Sequence, residues 1–131
     1  MNCFGLAGGE FCELQTLNAS CRQGDEVIVM ETARYGRMRL GTCVVADLGF
    51  VGCSRDVLPV LDSQCSGRRR CVVRVPDPQL AALRPQPCLT ELKSYLETGY
   101  RCQKGQFFSV PRCSRQYRQL IITHTLTVTL T

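Results

Sequence analysis

"EVIVMETARYGR", residues 26–37, is the stretch from which the fold can be read. Valine, isoleucine and threonine mark its first eight residues, and β-branched side chains suit the pleated, half-buried surface of a strand. A strand is therefore expected over 26–33, ending where Tyr35-Gly36-Arg37 reads as a turn held by the glycine. That turn would leave a tyrosine and an arginine side by side, either as a ligand platform or as solvated neighbours. Upstream, the alternation in "EFCELQTLNASC" (10–21) predicts a short strand that ends at a turn in "RQGDE" (22–26). Downstream, a short strand is expected over 43–45, another at "CVVRV" (71–75), and a closing one in "LKSYLETGYRC" (92–102), where Leu96, Thr98 and Tyr100 share one side.

Between these strands the pattern changes. In "SRDVLPVLDSQC" (54–65) the apolar residues Val57, Leu58, Val60 and Leu61 fall at helical spacing. Ser54 or Asp56 could cap that helix, and Pro59 would then lie in the first turn, where a missing N–H costs little. "PDPQLAALRPQPC" (76–88) carries four prolines, which impose an irregular loop around at most one helical turn. Beyond Cys102, "QKGQFFSVPRCSRQYRQ" (103–119) reads as a linker, and "LIITHTLTVTLT" (120–131) is β-prone with little charge.

A chain of 131 residues has room for one small domain, and its ten cysteines can supply the covalent constraint such domains need. No two cysteines are separated by only two residues and His124 is the sole histidine, so zinc-ribbon and thioredoxin-like signatures are absent and no metal or other cofactor is expected. Five disulfides in an oxidising, extracellular compartment is the better reading. Asn18-Ala19-Ser20 is an N-glycosylation sequon that fits such a location. "MNCFGLAGGEF" (1–11) has neither a basic start nor a sustained apolar run, so no signal peptide is visible, and no run of about eighteen apolar residues forms a membrane span. The net charge of +5 draws attention to "GRRRC" (67–71). Arg68, Arg69 and Arg70 read as the solvated tip of a small disulfide loop, with heparan sulfate contact as the alternative. Without interleaved aromatic residues to stack bases, nucleic acid is not an expected partner.

Ala33-x-Tyr35-Gly36-Arg37 resembles the Ala-Asn-Tyr-Gly-Arg motif of the rhamnose-binding lectin family, the sea-urchin-egg-lectin type. Pro87-Cys88-x-x-x-x-Lys93-x-Tyr95-Leu96 is similar to that family's second motif, Asp-Pro-Cys-x-Gly-Thr-x-Lys-Tyr-Leu. The cysteine order between Cys12 and Cys102 is similar too, so the resemblance covers about residues 10–102 and leaves 1–9 as a flank and 103–131 as a tail of unassigned role. It implies an α+β, disulfide-rich domain of about five antiparallel strands, sandwich-like, with one or two short helices and long structured loops. The implied disulfides are Cys12–Cys43, Cys21–Cys102, Cys53–Cys88 and Cys65–Cys71, which leaves Cys3–Cys113 as a possible fifth. By the same resemblance the sugar site takes Glu13 as hydroxyl acceptor, Tyr35 as apolar face and Lys93 as donor, with Gln86 and Thr90 beside them, while Arg37 serves the scaffold.

Gln86 stands where the family has aspartate, and Thr90-Glu91 replaces Gly-Thr. One extra residue between Cys88 and Leu96 allows Ser94 to take the place of Lys93. Exchanging a charged acceptor for a neutral amide weakens a hydrogen bond, so Gln86→Asp is expected to tighten sugar binding. The function implied is a calcium-independent extracellular lectin module for rhamnose- or galactose-type sugars, with cell-surface glycans or a glycoprotein receptor as partners. The alternative is a protein-interaction module of a latrophilin-type adhesion receptor or a guidance receptor, with a degenerate sugar site. No nucleophile elbow, histidine-containing triad, metal motif or phosphate loop is legible, so an enzyme is not expected.

Overall fold

The computed structural model describes residues 6–104. Along the chain lie β1 (Ala7–Phe11), β2 (Thr16–Ser20), β3 (Glu26–Arg37), β4 (Cys53–Asp56), α1 (Leu58–Cys65), β5 (Arg70–Arg74), α2 (Pro78–Ala81) and β6 (Tyr95–Lys104). One sheet has the order β1-β6-β3-β4, the other pairs β2 with β5, and every pairing is antiparallel. Cys3, Cys113, His124 and the tail beyond residue 104 lie outside the described residues, as does any Cys3–Cys113 bridge.

Six strands are present among the described residues rather than about five, because the stretch expected as one strand over 10–21 is broken in two. The break is a turn at Cys12–Gln15, where the Gln15 N–H donates to the Cys12 carbonyl (2.9 Å) and Leu14 takes a left-handed φ of +74°. The chain leaves this turn toward the other sheet, so β1 pairs with β6 and β2 with β5. β1 also takes in Ala7–Gly9, which the sequence reading placed in the N-terminal flank, and β6 runs two residues past Cys102. The strand expected over 43–45 does not form: Val44 is buried, Val45 is exposed, and the segment is irregular. Residues 53–56 form β4 instead, which displaces the helix start. Val57 becomes the N-cap of α1, with Pro59 in the first turn as expected, and the Asp56 carboxylate accepts from the Leu58 N–H (2.9 Å).

Tyr35-Gly36-Arg37 is not a turn. β3 continues through it, with Gly36 opposite Ser54 of β4 on one side and Tyr95 of β6 on the other. Gly36 has φ +150°, and a Cβ there would lie 2.4 Å from the Cys53 carbonyl oxygen, so the glycine permits close approach of β4. Arg37 is buried and serves the scaffold: Nε donates to the Phe50 carbonyl (3.1 Å) and Nη1 to the Lys93 carbonyl (2.9 Å).

β3 and β6 shift register between Met30 and Thr32, making Glu31 the extra residue of a bulge. Ile28 and Met30 reach the core before the bulge, and Ala33 and Tyr35 reach it afterwards. An unbroken alternation would send the second pair to the opposite face. Glu31 itself is fully buried and accepts from Arg101 Nε on β6 at 2.7 Å. The core combines Leu17, Ala19, Val73 and Val75 from one sheet region with Ile28, Met30, Tyr35, Leu96 and Tyr100 from the other, closed by Leu61 of α1 and Leu80 of α2.

Four disulfides join Cys12 to Cys43, Cys21 to Cys102, Cys53 to Cys88 and Cys65 to Cys71, the same pairs that the lectin resemblance implies. Cys65, Cys71 and Cys21 are buried, whereas Cys12, Cys43, Cys53 and Cys88 are all partly exposed. The Cys21–Cys102 bridge spans 81 residues, for which the chain-entropy account gives ~4–5 kcal/mol.

Gly36→Ala is expected to cost ~2–4 kcal/mol, since the new methyl meets backbone that cannot yield without opening the β3–β4 pairing. Chemical denaturation of the two proteins checks this, and a loss below ~0.5 kcal/mol would show that β4 moves aside freely.

Candidate functional site

Three separate segments meet at a solvent-open cleft of about 520 Å³. The turn after β1 contributes Glu13, β3 contributes Tyr35, and the long connection between β5 and β6 contributes the rest, including Arg84, Gln86, Thr90 and Lys93.

Each segment is fixed for an identifiable reason. The Cys12–Gln15 turn is clamped internally by the Cys12 N–H on Gln15 Oε1 (2.7 Å), and to the end of β5 by the Leu14 N–H on the Val75 carbonyl (2.7 Å). The Val75 N–H returns a bond to the Gln15 carbonyl (2.9 Å), so Glu13 sits on a turn held at both ends. Tyr35 lies between Arg55 of β4 and Leu96 of β6. Only 6 % of its surface is exposed, so most of the ring belongs to the core and a small part faces the cleft. The connection is tied down by the Cys53–Cys88 disulfide and by Arg37 on the Lys93 carbonyl.

Gln86 is a structural clamp as well as a wall of the cleft. Its Nε2 donates to the carbonyls of Leu80, Ala81 and Leu83 at 3.0–3.1 Å, closing the chain just after α2. A carboxylate in place of this amide would have no proton to donate, and it would face three carbonyl oxygens. Arg84 binds the same region, through Nη1 on the carbonyls of Ala81 (3.0 Å) and Leu83 (2.7 Å).

The electrostatics link two of the three segments. The Tyr35 phenol is pushed above the ordinary tyrosine value, first by burial and second by the negative charge of Glu13. Burial likewise raises Tyr95, the largest effect there, while its hydroxyl lies against the backbone of Arg39. Both phenols are neutral in the folded state up to a higher pH than in the unfolded chain. Their contribution to stability is therefore intact below the ordinary value of about 10 and fades as pH rises above it.

The cleft gathers Glu13, Tyr35, Lys93, Gln86 and Thr90, and Ser94 lines it together with Lys93. It does not include Asn18, which is exposed on β2, or Arg68 and Arg69, which precede β5, and Arg70, which begins it. Sequence reasoning missed Pro76, Ala81, Arg84, Leu89 and Leu92, which give the cleft an apolar side and a second cation. The proline-rich run signalled an irregular loop, but nothing in it indicated which side chains turn inward. Among the described residues, no group of three or more His, Cys, Asp or Glu could hold a metal ion.

Two measurements check this geometry. Replacing Glu13 with Gln should lower the Tyr35 ionisation toward the ordinary value while leaving Tyr95 in place, as read by NMR titration of the tyrosine rings. An unmoved Tyr35 would separate the two groups. Gln86→Asp should lower stability by ~1–3 kcal/mol, because it removes the amide donor and places negative charge beside three carbonyl oxygens. Equal stability would show that the amide clamp contributes nothing.

No protein-family model matches the chain, and no curated protein matches it.

Proposed function

We propose that this cleft is the carbohydrate site of an extracellular, calcium-independent lectin domain of the rhamnose-binding, sea-urchin-egg-lectin type. The observation that carries the reading is the convergence of Glu13, Tyr35, Gln86, Thr90 and Lys93 on one cleft, although these residues span 80 positions from 13 to 93. Four disulfides, and no helix among the described residues long and apolar enough to cross a membrane, are compatible with an extracellular setting.

The chemistry suits a small sugar. The Glu13 carboxylate accepts from two vicinal hydroxyls, and the Lys93 ammonium donates to a third oxygen. The exposed part of Tyr35 joins Leu89, Leu92 and Pro76 in covering an apolar sugar face, such as the methyl-bearing side of a deoxysugar. With few charged contacts in an open cleft, affinity falls in the millimolar range, about −4 kcal/mol, and useful avidity comes from clustering.

A second reading has one observation in its favour. Gln86 turns its amide N–H groups to the protein backbone rather than to the cleft, as in a site adapted away from sugar. On that reading the domain is a protein-interaction module of an adhesion or guidance receptor.

Titration of rhamnose and galactose into the wild type, Glu13→Ala and Lys93→Ala decides between them. Wild-type binding at millimolar concentrations, unaffected by calcium chelation, should fall at least tenfold in Glu13→Ala and severalfold in Lys93→Ala. If neither sugar binds the wild type at those concentrations, the lectin reading fails and the interaction module stands.

A further inference from the structure

A second face of the molecule has a different chemistry and shares no residue with the cleft above. Alternation along β5 buries Cys71 and Val73 and leaves Arg70, Val72 and Arg74 outside, while β2 leaves Thr16, Asn18 and Ser20 outside. The register sets Arg70 opposite Ser20, Val72 opposite Asn18 and Arg74 opposite Thr16. At the Arg70 end, Arg68 and Arg70 border a cleft of about 420 Å³ with Ser63 and Gln64 of α1, Val72 and Gln79.

No acidic residue lines that cleft. Asp77, which precedes α2, turns its carboxylate to the Gln79 N–H (2.8 Å) and to Gln64 Nε2 (3.0 Å). The ion pairs among the described residues join Arg39 to Glu97 and Arg101 to Glu31, so the exposed Arg68, Arg69, Arg70 and Arg74 pair with no acidic side chain among those residues. Guanidinium forks match the paired oxygens of sulfate and carboxylate groups. Four residues along a strand separate Arg70 from Arg74 by ~13 Å, so the two cations address successive groups on an extended chain rather than one ion. No aromatic side chain lines the cleft to stack a base, and a disulfide-rich domain belongs where sulfated polysaccharides are the abundant polyanions.

We propose that the outward face of β5 and its adjoining cleft bind a sulfated polysaccharide, and that an N-glycan on Asn18 covers this face. Arg68 and Arg70 hold one acidic group at the cleft, and Arg74 holds the next along the strand. Asn18 stands in its sequon on the paired strand, opposite the exposed Val72 and between the levels of the two arginines. A branched glycan there competes with the polysaccharide for the same space.

The test uses the full chain secreted from glycosylating cells, before and after enzymatic glycan removal, with a heparin oligosaccharide as the probe. The deglycosylated chain should bind with an affinity that falls steeply as salt rises, and severalfold more tightly than the glycosylated chain. Arg70→Glu/Arg74→Glu should lose at least tenfold more affinity than Arg39→Glu/Arg55→Glu, which makes the same change in net charge elsewhere. Arg70→Gln/Arg74→Gln should show the same order of loss, guarding against a folding defect in the charge-reversed protein. Equal losses in the two charge-reversed proteins, or equally tight binding of single-stranded DNA of matched charge, would overturn the polysaccharide site. Binding indifferent to the glycan, or an Asn18 that leaves the cell unmodified, would overturn the covering role.

Discussion

The pairing of β3 with β6 is the constraint on which the rest of the structure depends. It joins residues about seventy positions apart, and nothing local holds such strands together while the loop between them is open. The Cys21–Cys102 bridge reduces that entropic cost from one end, where Cys102 itself pairs with Ile28. The Glu31–Arg101 ion pair lies at the bulge. Because the bulge changes the phase of β3, one continuous strand supplies the core at Met30 and again at Tyr35. The same pairing sets Tyr35 beside Leu96, just after the segment that carries Lys93.

The candidate cleft then follows from how the loops are fastened to that frame. Three side chains whose heads point to backbone do most of the fastening: Gln15 in its turn, Arg37 between two loops, and Gln86 after α2. Such bonds satisfy carbonyls and N–H groups that irregular chain would otherwise leave unpaired. The side chains left facing the cleft are consequently few and of mixed character, a carboxylate, two cations and a modest apolar wall.

How much of this was legible in the sequence varies by element. β-branched runs marked β3 and β5, and apolar spacing marked α1, because those patterns report directly on a buried face. The path of β3 through Tyr35-Gly36-Arg37 was not legible, since its glycine serves an approach by β4 that only the tertiary structure creates. The break between β1 and β2 was equally hidden, because the left-handed residue is Leu14 rather than a glycine or asparagine. Tyr35 and Lys93 could be named from two short motifs and Glu13 from its place after Cys12, whereas Arg84 and Pro76 enter the cleft from a loop with no periodicity to read. Gln86 was legible as a departure from a motif, but its three carbonyl partners were not.

The uneven exposure of the disulfides divides the molecule into two redox tiers. Both bridges with two partly exposed cysteines, Cys12–Cys43 and Cys53–Cys88, hold cleft segments: Cys12 precedes Glu13, and Cys88 lines the wall. The bridges that secure the sheets and the α1–β5 junction each contain at least one buried cysteine. Thiol exchange needs an attacking thiolate to reach only one sulfur, so the partly exposed Cys102 leaves Cys21–Cys102 open to attack along with the cleft's bridges, and Cys65–Cys71, buried at both cysteines, is the shielded one. A reducing environment therefore reaches the cleft's loops together with the bridge that closes the sheets, while the α1–β5 junction keeps its own bridge.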